Sequence, residues 1–227
     1  MIAAVFPQAV ILDFDGLIVD TELSIFEEWQ RVYRRHGQEL GLDLWQQTVG
    51  SHAVFQPAEH LARLTGQALD LGALRDEVER HHHRRCGEQP LLPGVEPLLN
   101  DALEAGLGTA VASSSSAGWV ESWLVHHGIR DRIGNVCTRD DVERVKPAPD
   151  LFLLAARRLG ASPEDCIVFE DSPNGARAAV AAGMACVVVP NTVTEGLRFP
   201  EGPLRLPSLA ARTLKEIVAT LRDPAAE

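Results

Sequence analysis

Two aspartates stand two residues apart at the end of a short apolar run, Val-Ile-Leu-Asp13-Phe-Asp15-Gly16. In extended chain, side chains alternate between faces, so Asp13 and Asp15 point one way and Phe14 the other. Neighbouring carboxylates at the mouth of a buried strand repel each other and lose water. A cation, a proton or hydrogen-bond donors must offset that cost. One acid of such a pair can attack an electrophile while the other moves a proton. Two solvated acids in a turn would give the same local pattern, because Asp and Gly are ordinary turn residues. Three more positions argue for chemistry. Ser113 follows the run Thr-Ala-Val-Ala, Lys146 precedes Pro147, and Glu170-Asp171 follows Cys-Ile-Val-Phe. Only Lys146 and Lys215 are lysines among 21 basic residues, so this chain keeps a compact point charge where arginine is its habit.

The elements that would carry these residues alternate. Residues 10–12, 108–112, 133–138, 166–169 and 185–189 read as strands. Residues 95–105, 119–127, 149–159, 175–182 and 209–221 read as helices. Strands alternating with helices predict an α/β fold, a Rossmann-like parallel sheet with helices on both faces. In such a sheet ligands sit beyond the carboxyl ends of the strands, where Asp13, Asp15, Ser113, Lys146, Glu170 and Asp171 all fall. Between residues 21 and 87 no strand is needed. Leu23, Phe26, Trp29 and Tyr33 recur at helical spacing, and 55–64 and 71–85 read as further helices. The predicted organisation is a core of residues 1–20 and 88–227 with an inserted helical cap, 21–87. Trp29, Tyr33 and Trp45 are expected in the cap core. Residues 191–207, rich in Pro and Gly, are expected to be irregular surface chain.

The run Asp13-Phe-Asp-Gly-Leu-Ile-Val-Asp-Thr, Ser113, Lys146-Pro147 and Glu170-Asp171-Ser172 resembles, in order, the four motifs of the haloacid dehalogenase-like superfamily. The likeness covers essentially the whole chain, and the helical insert is similar to the cap of the phosphoglycolate phosphatase and beta-phosphoglucomutase branch. The residues themselves suit phosphoryl transfer. Asp13, Glu170 and Asp171 are hard oxygen ligands for Mg2+, Asp13 is the candidate nucleophile and Asp15 the candidate acid and base. The resemblance adds a metal contact from the main-chain carbonyl of Asp15. Ser113 would donate to a phosphoryl oxygen and Lys146 would neutralise charge. Ser114, Ser115 and Ser116 are alternatives for that hydroxyl, with Ser116 also suited to cap the next helix. Gly16, Ser114 and, in the cap loop 50–55, His52 are the expected substrate contacts. Consecutive His81, His82 and His83 point in different directions on a helix and read as a solvated or cap-facing stretch rather than a metal site.

Composition sets limits. A net charge of -11 argues against nucleic acid or an anionic membrane as partner. The four cysteines are widely spaced, which suggests reduced thiols rather than zinc or disulfides. The first ten residues lack the pattern of a signal peptide, so a cytoplasmic monomer is expected. The expected function is Mg2+-dependent hydrolysis of a small phosphorylated metabolite. Two alternatives are a beta-phosphoglucomutase-like mutase and a non-catalytic protein that binds such a metabolite. Mutase-like relatives carry a histidine where this chain has Ile25, a Gly-x-Ser-Arg loop where it has Gly50-Ser51-His52-Ala53, and Lys-Asn where it has Ser116-Ala117. All three departures favour hydrolysis. The absence of lysine from 21–87 argues against Schiff-base phosphonate cleavage.

Overall fold

The computed structural model describes residues 7–47 and 55–223. Six strands, β1 (Ala9–Leu12), β2 (Gly108–Ala112), β3 (Asn135–Cys137), β4 (Cys166–Glu170), β5 (Ala185–Val188) and β6 (Leu204–Arg205), form one parallel sheet in the order β3-β2-β1-β4-β5-β6. Strand β1 is central, paired with β2 through Leu12 and Val111 and with β4 through Leu12 and Phe169. The chain runs to one side of β1 for β2 and β3 and returns to the other for β4 to β6. That makes the carboxyl end of β1 the switch point where a crevice opens.

The helices are α1 (Thr21–Arg35), α2 (Leu42–Trp45), α3 (Pro57–Thr65), α4 (Leu71–Glu88), α5 (Val95–Glu104), α6 (Ala117–His126), α7 (Asp150–Leu159), α8 (Pro173–Ala181) and α9 (Leu214–Arg222). Alternation along β1 feeds two cores. Val10 and Leu12 pack with residues of α5, α6 and α9 on one face, and Ala9 and Ile11 with α7 and α8 on the other. Cutting the fully buried Ile11 to alanine would cost about 2–5 kcal/mol. No helix among the described residues is long and apolar enough to cross a membrane.

Helices α1, α3 and α4 bury a third cluster, including Phe26, Trp29, Tyr33, Leu61 and Val78, which Val193 of the core joins. Trp29, Tyr33 and Trp45 lie in it, as expected. Arginines of α1 and α4 clasp the outer edge, Arg31 and Arg35 pairing with Glu77, and Arg85 with Glu27 and Glu28.

Two stretches differ from their sequence reading. Residues 191–207 are not merely surface chain, because Val193, Thr194 and Leu206 are buried and Leu204–Arg205 pairs with β5. Here a short strand is recruited by a neighbour rather than by its own periodicity. The helix expected over 209–221 begins only at Leu214. A 3-10 turn, Leu209–Ala211, precedes it, and Thr213 with Glu216 forms a capping box that fixes the later start.

Candidate active site

Past Leu12, the amide of Asp13 still donates to Phe169 O at 2.9 Å, so the ladder carries the first aspartate to the sheet's edge. The chain then reverses at Gly16, whose φ of +79° suits glycine. A Cβ there would lie 2.5 Å from both Asn191 Nδ2 and Asp171 Oδ2, so the turn packs directly on the acidic loop after β4.

One half of the crevice is ionic. Lys146, buried, reaches Asp13 Oδ1 at 2.5 Å and Glu170 Oε1 at 2.6 Å, with its Nζ 4.8 Å from the Phe152 ring centroid. Glu170 Oε2 accepts from the amides of Asp171 and Ser172 and from the Ser172 hydroxyl. Helix α8 comes so close that a Cβ on Gly175 would fall 1.7 Å from Glu170 Oε1. Asn191 Nδ2 donates to Asp171 Oδ2 at 2.7 Å and to Gly16 O at 3.2 Å. Asp13, Glu170 and Asp171, all buried, each present one oxygen within 4.8 Å of the others.

Burial raises the Asp13 carboxyl to about 7, with the charges of Glu170 and Asp15 adding to the rise and Lys146 opposing it. Burial and the neighbouring acids likewise hold Asp171 well above its ordinary value. Burial would lower Lys146, but Asp13 and Glu170 outweigh it and keep the ammonium charged. Were all three acids ionised, they would outnumber the one ammonium by two charges in a dry place, which is why Asp13 and Asp171 hold protons so readily there. Hard oxygen donors with that excess fit a divalent cation such as Mg2+.

The other half is neutral. Asp15 Oδ1 accepts from Thr21 Oγ1 and Trp119 Nε1, both at 2.9 Å. Its Oδ2 accepts from Ser115 Oγ at 2.6 Å and Ser113 Oγ at 3.2 Å. The Asp15 carboxylate therefore stands outside the three-oxygen cluster, and only its main-chain carbonyl is left for a cation there. Ser113 also accepts from the amide of Ser115, whereas the buried Ser114 hydroxyl has no partner among the described residues. Ser116 caps α6 by accepting from Trp119 N at 3.4 Å, which resolves its place in the serine run.

Both halves open into a cavity of about 560 Å3 roofed by α1, α3 and α4. Ile25, Trp29, Trp45, Glu22 and His82 are among its lining residues. Glu22 is raised to about 8 by burial and by the charges of Asp15, Asp13 and Asp20. The three histidines do diverge, yet His82 is buried, with Nε2 3.1 Å from Thr21 O. His52 lies outside the described residues.

Sequence reasoning thus brought Asp13, Asp15, Gly16, Ser113, Ser114, Lys146, Glu170 and Asp171 to one crevice. It passed over Thr21, Glu22, Trp119 and Asn191, held Ser115 only as an alternative to Ser113, and set His82 aside with its neighbours. Thr21 and Glu22 directly follow the aspartate run and were open to notice. Asn191 carried no local signal.

Comparison with known proteins agrees with this geometry. A family model described as haloacid dehalogenase-like hydrolase matches residues 10–189. A Bacillus subtilis (strain 168) protein named as a phosphatase, YhcW, is 44% identical over 207 residues, spanning 91% of this chain and 94% of its own. Fructose-1-phosphate phosphatase YqaB of Escherichia coli (strain K12) is 36% identical over 185 residues, 79% of this chain and 95% of its own. Among solved structures, a CbbY variant from Rhodobacter sphaeroides in complex with xylulose-(1,5)bisphosphate aligns with a TM-score of 0.69 and 27% identity. That match covers 90% of this chain and 96% of that one.

Proposed function

Because the chain belongs to the haloacid dehalogenase-like hydrolases and is a phosphatase of that family, we propose that it hydrolyses a small phosphorylated metabolite, such as a sugar phosphate, through a phosphoryl group carried on Asp13. The observation that carries this reading is the pairing of Asp13 with buried Lys146 while Asp15, two residues on, faces the same cavity.

Asp13 attacks phosphorus as the bond to the leaving oxygen breaks, and Asp15 gives that oxygen its proton. Water then attacks the phosphorus of the aspartyl phosphate. Asp15 takes the water's proton, and the bond to Asp13 breaks to release inorganic phosphate and restore the carboxylate. Lys146 holds the nucleophile in place and offsets the charge gathered around it. Ser113 and Ser114 supply hydroxyls for phosphoryl oxygens. Asp13, Asp171 and Glu170 would hold Mg2+ together with the Asp15 carbonyl, and the bound ion supplies charge screening between the nucleophile and the incoming phosphate.

The helical insert 21–87 acts as a cap over this crevice, with chain near 20–21 and 87–93 as the connections that let it move. Its apolar cluster, drawn mostly from its own helices, supports the role, and the 560 Å3 cavity suits a small substrate. Retention of a sugar bisphosphate, as a mutase needs, finds less support. Ile25 is an apolar lining residue, and Ser116 is spent on capping α6. The binding-module alternative falls with the family's membership among enzymes.

The test is p-nitrophenyl phosphate hydrolysis with Mg2+, set beside Asp13→Asn and beside excess chelator. Turnover that needs both the ion and Asp13 supports the reading, and full activity in chelator would remove the metal from it. Incubation with beta-glucose 1-phosphate and trace glucose 1,6-bisphosphate tests for a mutase, since glucose 6-phosphate would appear.

A further inference from the structure

Trp119 belongs to none of the four motif stretches, yet its indole Nε1 donates to Asp15 Oδ1 at 2.9 Å. The other three donors to this carboxylate among the described residues, on Thr21, Ser113 and Ser115, are hydroxyls. A hydroxyl rotates and accepts as readily as it donates, so it can follow the carboxylate or turn to a phosphoryl oxygen. An indole N–H only donates, in a direction set by its ring.

That ring is firmly seated. Its centroid is 5.5 Å from that of Trp123 at an interplanar angle of 79°, 5.1 Å from His82 and 6.1 Å from His83. Its own amide is fixed by the Ser116 cap at the start of α6. Burial lowers His82 to about 4, so the ring beside the indole is neutral near pH 7 and adds no charge to the site. His82 also reaches Thr21 O, on the residue that supplies the second donor to Asp15 Oδ1.

We propose that Trp119 is a positioning residue for Asp15, the one donor of fixed direction among the described residues, and that it aims the carboxyl group at the leaving oxygen. The inference rests on the proton-transfer role proposed above for Asp15. It also explains the unlike surroundings of the two aspartates, because a group that must give and regain a proton is held by neutral donors rather than by a buried cation.

The test compares phenyl phosphate with p-nitrophenyl phosphate, two esters of similar shape whose leaving oxygens differ in their need for a proton. The value of kcat/KM reports steps up to the first loss of the leaving group. Trp119→Phe should lower kcat/KM on phenyl phosphate about ten- to a hundredfold, the scale of one hydrogen bond to a charged group. On p-nitrophenyl phosphate the change should stay within about twofold. Because phenylalanine leaves space beside Trp123, a second variant replaces the Trp119 indole by benzothiophene, which keeps the ring's shape and removes only the N–H. It should give the same selective loss with an unchanged melting temperature.

Equal losses on both esters, or no loss on either, would overturn the positioning role. Asp15→Asn, run in parallel, separates this failure from that of the underlying reading. A selective loss in Asp15→Asn without one in the Trp119 variants sinks the positioning role alone. Equal losses in Asp15→Asn sink the acid role and the inference with it.

Discussion

Asp13 and Asp15 are two residues apart and face unlike halves of one cavity. The half built on β1, β4 and Lys146 is ionic and dry, with three acids clustered together and two of them on a single ammonium. The half built on β2, α6 and the start of α1 meets its acid with neutral donors, three hydroxyls and an indole among the described residues around one carboxylate. The ionic half holds charge in place for a group that must not wander. The neutral half surrounds a group whose charge changes during the reaction, where fixed charges would favour one protonation state over the other. Each half should therefore fail in its own way.

The largest expected effect is on the ionic side. Asp13→Asn should lower turnover by at least about 10^4-fold, since an amide cannot replace the nucleophile. The substitution is nearly isosteric, and Lys146 keeps Glu170 as a partner. Thermal melting should therefore stay close to that of the parent. Measured phosphate release within a hundredfold of the parent would contradict the nucleophile assignment.

Lys146→Ala should damage both activity and stability. Removing the ammonium leaves Asp13 and Glu170 buried without their counter-charge, a loss of about 3–5 kcal/mol for a broken buried pair. Turnover should fall about 10^3-fold through lost charge stabilisation. Lys146→Met, which keeps most of the volume, separates charge from packing. If Lys146→Met retained near-parent turnover, the ionic half would be structural only.

Metal and pH sharpen the same contrast. Burial first, and then Glu170 and Asp15, bring Asp13 from 3.8 to about 7 in the absence of a cation. A carboxyl raised on folding takes up a proton, so the stability it contributes is full below about pH 4 and is lost as pH rises through about 7. In chelator, the melting temperature should fall across that window more steeply than in Asp13→Asn. Mg2+ competes with the proton for these oxygens, so its stabilising effect should grow over the same range. Melting curves with and without Mg2+ between about pH 5 and pH 8 check this. A pH-independent Mg2+ effect would place the ion elsewhere.

The same contrast explains what the sequence disclosed. Charged residues at strand ends are legible because an Asp, Glu or Lys after an apolar run is costly and needs a reason. Asp13, Lys146 and Glu170-Asp171 stood out on those grounds, and alternation of apolar runs set β1 to β5. The neutral half is built from residues that are ordinary where they stand. Thr21 and Ser115 sit in a helix start and a serine run, and Trp119 looks like any apolar helix residue. Their meaning comes from how α6 and α1 converge on Asp15, which no local window contains. Strand β6 and Asn191 were hidden for a related reason, since both depend on what β5 and the turn at Gly16 offer them.

The smallest expected effects lie among the serines, where the neutral half can be tested for redundancy. Ser113 and Ser115 share Asp15 Oδ2, and Ser113 also accepts from the amide of Ser115. Removing either hydroxyl leaves three donors on the carboxylate, so each single alanine variant should cost less than Lys146→Ala, about three- to tenfold in kcat. Ser113→Ala should be the more harmful of the two, because that hydroxyl is also the candidate donor to a phosphoryl oxygen and its loss should raise KM as well. Ser115→Ala should leave KM nearly unchanged. The double variant should lose more than the product of the two single losses, because the remaining hydroxyl can turn to cover for its neighbour until both are gone. Strictly multiplicative losses would mean that the two serines act independently. A single-variant loss as large as that of Lys146→Ala would dissolve the distinction between the ionic and the neutral half.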